Sequence, residues 1–264
     1  MAIATVNGID IYYSQRGEGP DFVLIGGLGG HSGSWALNAP AFAKHFRVTT
    51  FDNRGAGRTS APDEPYSISG MAADTAALME DLGIAKAHVL GASMGGMVAQ
   101  ELAINHPQRV DRLVVACSRV KSSELRRKVA VAQRALWEAD VPRDAIAAIQ
   151  MNWGSTSSRL QDPQIPLDLL ALQAQDPHKI QKHAYLRQLD ATIAHDTADR
   201  LCQIEAETLV LVGGEDILTP PHESIEIARL IPNAKLQILP RGGHGFSGEY
   251  PEAYNKAVLD FLLA

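Results

Sequence analysis

Short apolar runs and amphipathic stretches alternate along most of this chain, and their spacing predicts its elements. Asp21-Phe22-Val23-Leu24-Ile25 is an apolar run closed by glycines, the form of a strand buried on both faces. Phe46 to Phe51, His88 to Leu90, Arg112 to Ala116, Thr208 to Val212 and Lys235 to Leu239 share that character. Ile3 to Val6 and Ile9 to Tyr13 flank Asn7-Gly8, a two-residue turn signal, so residues 2–15 read as a β-hairpin. Helical repeats separate most of the runs. From Ile68 to Leu82, one face carries Ile68, Met71, Leu78 and Leu82, with Thr75 its only polar member. Glu223 to Leu230 and Pro251 to Leu263 repeat the pattern, the latter with Tyr254, Val258, Phe261 and Leu262 on one face. Strands alternating with helices imply an α/β fold, a mostly parallel eight-stranded sheet with helices on both sides.

The rhythm breaks between about 120 and 190. Leu125, Val129, Ala132 and Leu136 recur at i, i+4, i+7 and i+11, which is helical spacing. Pro142, Pro163, Pro166 and Pro177 punctuate the rest, and Asn152 to Ser158 reads as a loop. The expected organisation is a core of residues 1–119 and 190–264 with a helical cap, or lid, at 120–189. An insertion at the carboxyl ends of the strands lies where open α/β sheets bind ligands.

The chemistry concentrates at strand ends. Gly91-Ala92-Ser93-Met94-Gly95 sits between an apolar run and a helical pattern. A serine between glycines at such a turn is a nucleophile elbow, which holds the hydroxyl exposed in a strained backbone. A serine needs a base, and the base needs an acid to orient it. Asp216 follows the run ending at Val212, and His244 follows the run ending at Leu239. Ser93, Asp216 and His244 therefore form the expected catalytic set, with Glu215 a rival acid that reads as an exposed loop residue. An oxyanion would need preorganised N–H donors. The backbone N–H groups of Met94 and of Leu28, in Gly26-Gly27-Leu28-Gly29-Gly30, are the expected pair. No Gly-Lys-Ser/Thr follows that loop, which argues against a phosphate cradle.

These motifs resemble the α/β-hydrolase fold family over essentially the whole chain. The resemblance extends to Phe51-Asp52-Asn53-Arg54-Gly55-Ala56-Gly57-Arg58-Thr59-Ser60, similar to the family's turn after its fourth strand, where Asp52 and Arg54 are read as structural. It extends also to Gly213-Gly214-Glu215-Asp216 with Pro220, and to Gly243-His244 followed by Tyr250-Pro251-Glu252. Many relatives carry His-Gly where this chain has Gly26-Gly27, so the backbone donor survives but a bracing side chain is lost. That departure is similar to 3-oxoadipate enol-lactonase and aminoacrylate hydrolase. The Gly-Pro-Gly element usual in carbon–carbon bond hydrolases is missing. Ser93 stands where dehalogenases and epoxide hydrolases have an aspartate. The resemblance implies a serine hydrolase of a small carboxylic ester or lactone acting through an acyl-enzyme. A carbon–carbon or carbon–nitrogen bond hydrolase, a cofactor-free non-hydrolytic use of the same residues, and a hydrolase-like small-ligand receptor stay open.

Substrate choice is expected to lie in the cap. Leu136, Trp137, Met151, Trp153 and Leu169 are candidate pocket residues, and Arg134 is a candidate partner for a substrate carboxylate. Arg126-Arg127-Lys128 reads as the solvated face of a helix. The 264 residues carry a formal net charge of −6 and no basic stripe, which argues against a nucleic-acid surface. His178, His183 and His195 lack metal-ligand spacing, and neither metal nor cofactor is expected. Two cysteines, Cys117 and Cys202, suggest no disulfide framework, as suits a reducing cytoplasm. No secretory signal is read in residues 1–15 and no run approaches a membrane span. The expected partner is a small-molecule substrate, with a homodimer left open.

Overall fold

A computed structural model describes residues 2–264, save the side chains of Pro166, Leu167, Leu169, Leu172 and Gln173. Among the described residues, eight strands form one sheet in the order β1-β2-β4-β3-β5-β6-β7-β8. They are β1 (Ala2–Val6), β2 (Ile9–Arg16), β3 (Asp21–Ile25), β4 (Arg47–Phe51), β5 (Ala87–Ala92), β6 (Val110–Ala116), β7 (Glu207–Gly213) and β8 (Ala234–Leu239). The hairpin β1–β2 is antiparallel and turns at Asn7 and Gly8, both at positive φ as a primed turn requires. β2 joins β4 antiparallel, and every pairing from β4 to β8 is parallel. The fold is the α/β-hydrolase fold.

The helices are α1 (Ala39–Phe42), α2 (Ile68–Asp81), α3 (Met94–Asn105), α4 (Glu124–Glu138), α5 (Arg143–Gly154), α6 (Ser157–Leu160), α7 (Gln164–Gln175), α8 (Lys182–Ala194), α9 (Pro221–Leu230), α10 (Phe246–Glu249) and α11 (Pro251–Leu262). The central strands read as apolar on both faces because both faces are covered, whereas β8, at the sheet edge, leaves Leu236 and Ile238 exposed against expectation. Val23, Ile25, Val89, Val115 and Val210 pack in one cluster with α2 and α3. Phe22, Leu24, Leu90, Val114 and Leu211 point the other way, into a cluster with Phe42, Tyr254 and Val258. Thr75, the polar member of the α2 stripe, is fully buried because its hydroxyl donates to the Met71 carbonyl at 2.9 Å.

Helices α4 to α8 occupy the segment between β6 and β7. Three details differ from expectation. The residue 189 boundary falls inside α8, which runs unbroken to Ala194, and a β-bridge between Lys121 and Asp196 closes the neck of the insertion. Asn152 to Gly154 form the last turn of α5 rather than a loop. The chain restarts at once in α6, whose cap Thr156 accepts from the Arg159 N–H at 3.2 Å. Arg126, expected on a solvated face with Arg127 and Lys128, is buried with Ala130 and Trp137, whereas Leu125 is 70% exposed. Trp137 stacks on Tyr185 of α8 at 4.1 Å between ring centroids, and the helix turns to make that contact.

The parallel register levels the strand ends. Ile25 lies beside Gly91, Ala92 beside Ala116, Ala116 beside Leu211, and Gly213 beside Leu239. The loops after β3, β5, β6, β7 and β8 thus emerge together at one edge, below the insertion.

Candidate active site

Ser93 occupies the turn from β5 into α3 at φ 57° and ψ −118°, a backbone conformation that an L residue adopts only under strain. The flanking glycines are steric requirements. A Cβ at Gly91 would overlap the Gly95 carbonyl, and one at Gly95 would overlap the Ile25 carbonyl of β3. The turn is pinned from β6: the Ser93 N–H donates to the Ala116 carbonyl at 2.9 Å, and the Ser118 hydroxyl donates to the Ser93 carbonyl at 2.9 Å.

The three side chains expected from separate strand ends meet. His244 Nε2 lies 2.9 Å from Ser93 Oγ. His244 Nδ1 lies 2.9 Å from Asp216 Oδ2. Asp216 is 2% exposed and heavily solvated by protein: its oxygens accept from the N–H groups of Leu218 and Thr219, each at 2.8 Å, and from the Thr219 hydroxyl at 2.7 Å. Burial alone would raise the Asp216 carboxyl, but the His244 ring and the Thr219 donors outweigh it and hold the group below the usual carboxylate range. An ionised Asp216 facing Nδ1 fixes the tautomer that leaves Nε2 free to accept from Ser93. Glu215, the rival acid, instead accepts from the Gly242 N–H at 3.0 Å and stays part-exposed. Cys117 stands beside Asp216 and His244, and burial pushes its thiol well above its ordinary value, so it remains a neutral neighbour.

The N–H groups of Leu28 and Met94 have no acceptor among the described residues, and both border the cavity above Ser93. The Met94 N–H opens α3, where the first-turn donors lack intrahelical partners. The Gly26–Gly30 loop is braced despite lacking a histidine. Asn53 Nδ2 donates to the Gly26 carbonyl at 2.9 Å, and the Gly29 N–H donates to Gln188 Oε1 at 2.8 Å. Gln188 belongs to α8 and is fully buried, so the insertion helps hold the loop. Asp52 accepts from the N–H groups of Ser32 and Arg58, and Arg54 is held by Asp74, which makes both structural as expected.

The cavity has a volume of about 380 Å³, within the range of small-molecule sites. Trp153 borders it, as expected. Arg134 does not. Its guanidinium pairs with Glu138 one turn on and with Asp190 of α8, and these carboxylates draw it to the outer side of α4. Trp137 also stays outside the lining, buried between Tyr185 and the Arg143 guanidinium, which lies 4.0 Å from its ring centre. Leu136 and Met151 are likewise absent from the described lining, and the side chain of Leu169 lies outside the described residues. Tyr185, Arg119 and Arg126 take those places. Sequence reasoning missed them, and it missed Thr219 and Gln188. The Asp216-x-x-Thr219 spacing is the one signal that was available, since it suits a carboxylate capped by a nearby hydroxyl and N–H.

A sheet of this order with serine, acid and histidine at its carboxyl edge defines an α/β hydrolase. The family model of the alpha/beta hydrolase fold matches residues 20–249, and the chain belongs to that family, a hydrolase of the superfamily. It is 31% identical to a protein of Caulobacter sp. (strain K31) provisionally named carbamate hydrolase RutD, over 99% of this chain and 98% of the relative. It is 35% identical, over 97% and 98%, to a protein of Mycobacterium tuberculosis (strain ATCC 25618 / H37Rv) provisionally named non-heme bromoperoxidase BpoC. The crystal structure of the enol-lactonase from Burkholderia xenovorans LB400 superposes with a TM-score of 0.89 at 28% identity, covering 100% of both chains. Among the described residues, no helix is long and apolar enough to cross a membrane.

Proposed function

We propose that this protein is a serine hydrolase of a small carboxylic ester or lactone. The carrying observation is the continuous line Ser93–His244–Asp216 beneath two unpartnered N–H groups, those of Leu28 and Met94, in one small cavity. Ser93 Oγ attacks the carbonyl carbon as His244 Nε2 takes its proton. Charge develops on the carbonyl oxygen, and the Leu28 and Met94 N–H groups stabilise it in place at no reorganisation cost. The imidazolium, steadied by Asp216, then protonates the leaving alkoxide. Water loses a proton to His244 and attacks the acyl-enzyme, and His244 passes that proton to Ser93 Oγ as the acid leaves. With a lactone the alkoxide stays tethered, and the product is one hydroxy acid. The likeness to an enol-lactonase over the full chain supports this choice of bond.

The test is turnover of p-nitrophenyl acetate, p-nitrophenyl butyrate and a panel of five- and six-membered lactones by wild type and Ser93→Ala. The expected loss in kcat is roughly 10⁴-fold or more. Equal turnover by Ser93→Ala on the substrates the wild type accepts would overturn the reading.

A further inference from the structure

The cavity is bordered by two arginines that form no ion pair among the described residues. Arg119 stands three residues beyond the end of β6 and is 8% exposed. Its backbone is pinned, since Gln100 Nε2 donates to the Arg119 carbonyl at 3.2 Å. Its side chain makes no ion pair or hydrogen bond among the described residues, and its buried Nε has no partner. Arg126, in the first turn of α4, is also 8% exposed and also unpaired among the described residues. Both border the same cavity as Ser93 and His244. The contrast with other arginines is plain: Arg54 is held by both oxygens of Asp74, Arg47 by Asp21, and Arg200 by Glu101.

The buried acid that acts most strongly on both is Glu223 in the first turn of α9. It forms no ion pair with either arginine, and its Oε2 is buried without a partner. Burial raises the Glu223 carboxyl against the pull of Arg119 and Arg126. Burial also lowers Arg119, with Arg126 beside it adding to the effect, to about 10, so it stays charged at neutral pH. Glu223 thus faces both guanidinium groups at a distance and Asp216 adds its field at Arg126, but among the described residues neither carboxylate pairs with either arginine. Burying an unpaired charge is costly, and a folded chain that holds two of them in a cavity has a site ready for an anion.

We infer that the substrate carries a free carboxylate, bound by Arg119 and Arg126 in the cavity that Ser93 and His244 also border. The planar forks of the two guanidinium groups suit bidentate carboxylate recognition. Val129, Ala130 and Leu189 border the same cavity and provide an apolar surface for the substrate's carbon chain. The substrate class is therefore an ester or lactone that is also an acid. This inference rests on the ester or lactone reading above for the identity of the reacting group, but the anion site itself does not.

The test compares p-nitrophenyl hydrogen glutarate with its methyl ester, in which the carboxylate is masked. Wild type should prefer the free acid by at least about 30-fold in kcat/KM, carried mainly in KM because the carboxylate takes no part in the bond changes. Arg119→Met and Arg126→Met should each cut that acid-to-ester ratio by roughly 10-fold, and Arg119→Lys by less. A ratio near one in wild type, or a ratio unchanged in both Met variants, would overturn the inference. A second readout needs no turnover: monomethyl glutarate should raise the Tm of Ser93→Ala protein and fail to raise it in Ser93→Ala/Arg119→Met. Inorganic phosphate is the control anion, and equal stabilisation by phosphate would overturn the assignment to a carboxylate. Ester turnover with a ratio of one removes the anion site and leaves the hydrolase reading intact. Ligand-induced stabilisation without ester or lactone turnover does the reverse.

Discussion

The strain at Ser93 can be measured by removing its side chain in two ways. Ser93→Ala and Ser93→Gly both delete Oγ and its hydrogen bond to His244, so both should lack the proposed activity. They differ in Cβ alone. Ser93 is the N-cap of α3 but makes no side-chain capping bond, so neither variant loses helix capping. A non-glycine residue at φ 57° and ψ −118° costs on the order of 1–3 kcal/mol. Glycine relieves that cost but makes the unfolded chain freer, which returns about 0.5–1 kcal/mol. Ser93→Gly should therefore be more stable than Ser93→Ala by about 1 kcal/mol, a Tm difference of about 2–4 °C for a chain of this size. Calorimetry at pH 7 with urea midpoints as a cross-check would read it, provided the urea m-values agree. A Ser93→Ala protein as stable as Ser93→Gly would refute the argument that the elbow stores strain. It would mean that the surrounding turn relaxes once Oγ is gone.

Other outcomes follow from the same geometry. Asp216→Asn should lower kcat by roughly 10³–10⁴-fold with little change in KM, because the amide no longer enforces the productive His244 tautomer; a loss below 10-fold would show that Thr219 orients the ring unaided. Burial lowers His195 from its ordinary 6.5 to about 4, with Glu101 partly opposing and Arg119 adding to the shift. The unfolded chain therefore binds this proton first, and stability present above pH 6.5 is lost as pH falls toward 4, by about 3 kcal/mol. His195→Gln should flatten urea-derived stability across that window relative to wild type, and parallel curves would contradict the assignment. Trp137→Ala removes the stack on Tyr185 and the Arg143 contact, and should cost about 3–5 kcal/mol in urea unfolding, with Trp137→Phe recovering most of it.

The sheet and the strand-end chemistry were legible because they rest on local rules. Apolar runs closed by glycine make buried strands, Asn7-Gly8 makes a hairpin turn, and parallel strands place their carboxyl ends at one edge. Ser93, Asp216 and His244 each follow a strand, so the fold alone brings them within hydrogen-bond reach. The cavity wall obeyed a different logic. Leu125, Val129, Ala132 and Leu136 give α4 its helical period, and Arg126 reads as part of a solvated face. The helix instead turns Arg126, Val129, Ala130 and Gln133 to the cavity, and leaves Leu125 exposed. Those inward positions keep the spacing i, i+3, i+4 and i+7, so the helical period holds while packing sets which face turns inward.

The sequence by itself thus determined which elements form and which residues stand at the strand ends, since turn geometry and hydrophobic period act within a few residues. Tertiary structure decided which arginine meets the cavity. Arg134 finds Asp190 on α8, while Arg126 finds no carboxylate within reach, and that difference depends on how α4 and α8 pack rather than on any neighbour in sequence. A charged side chain turned inward breaks the rule that periodicity relies on, and only the packed helices show where it is broken.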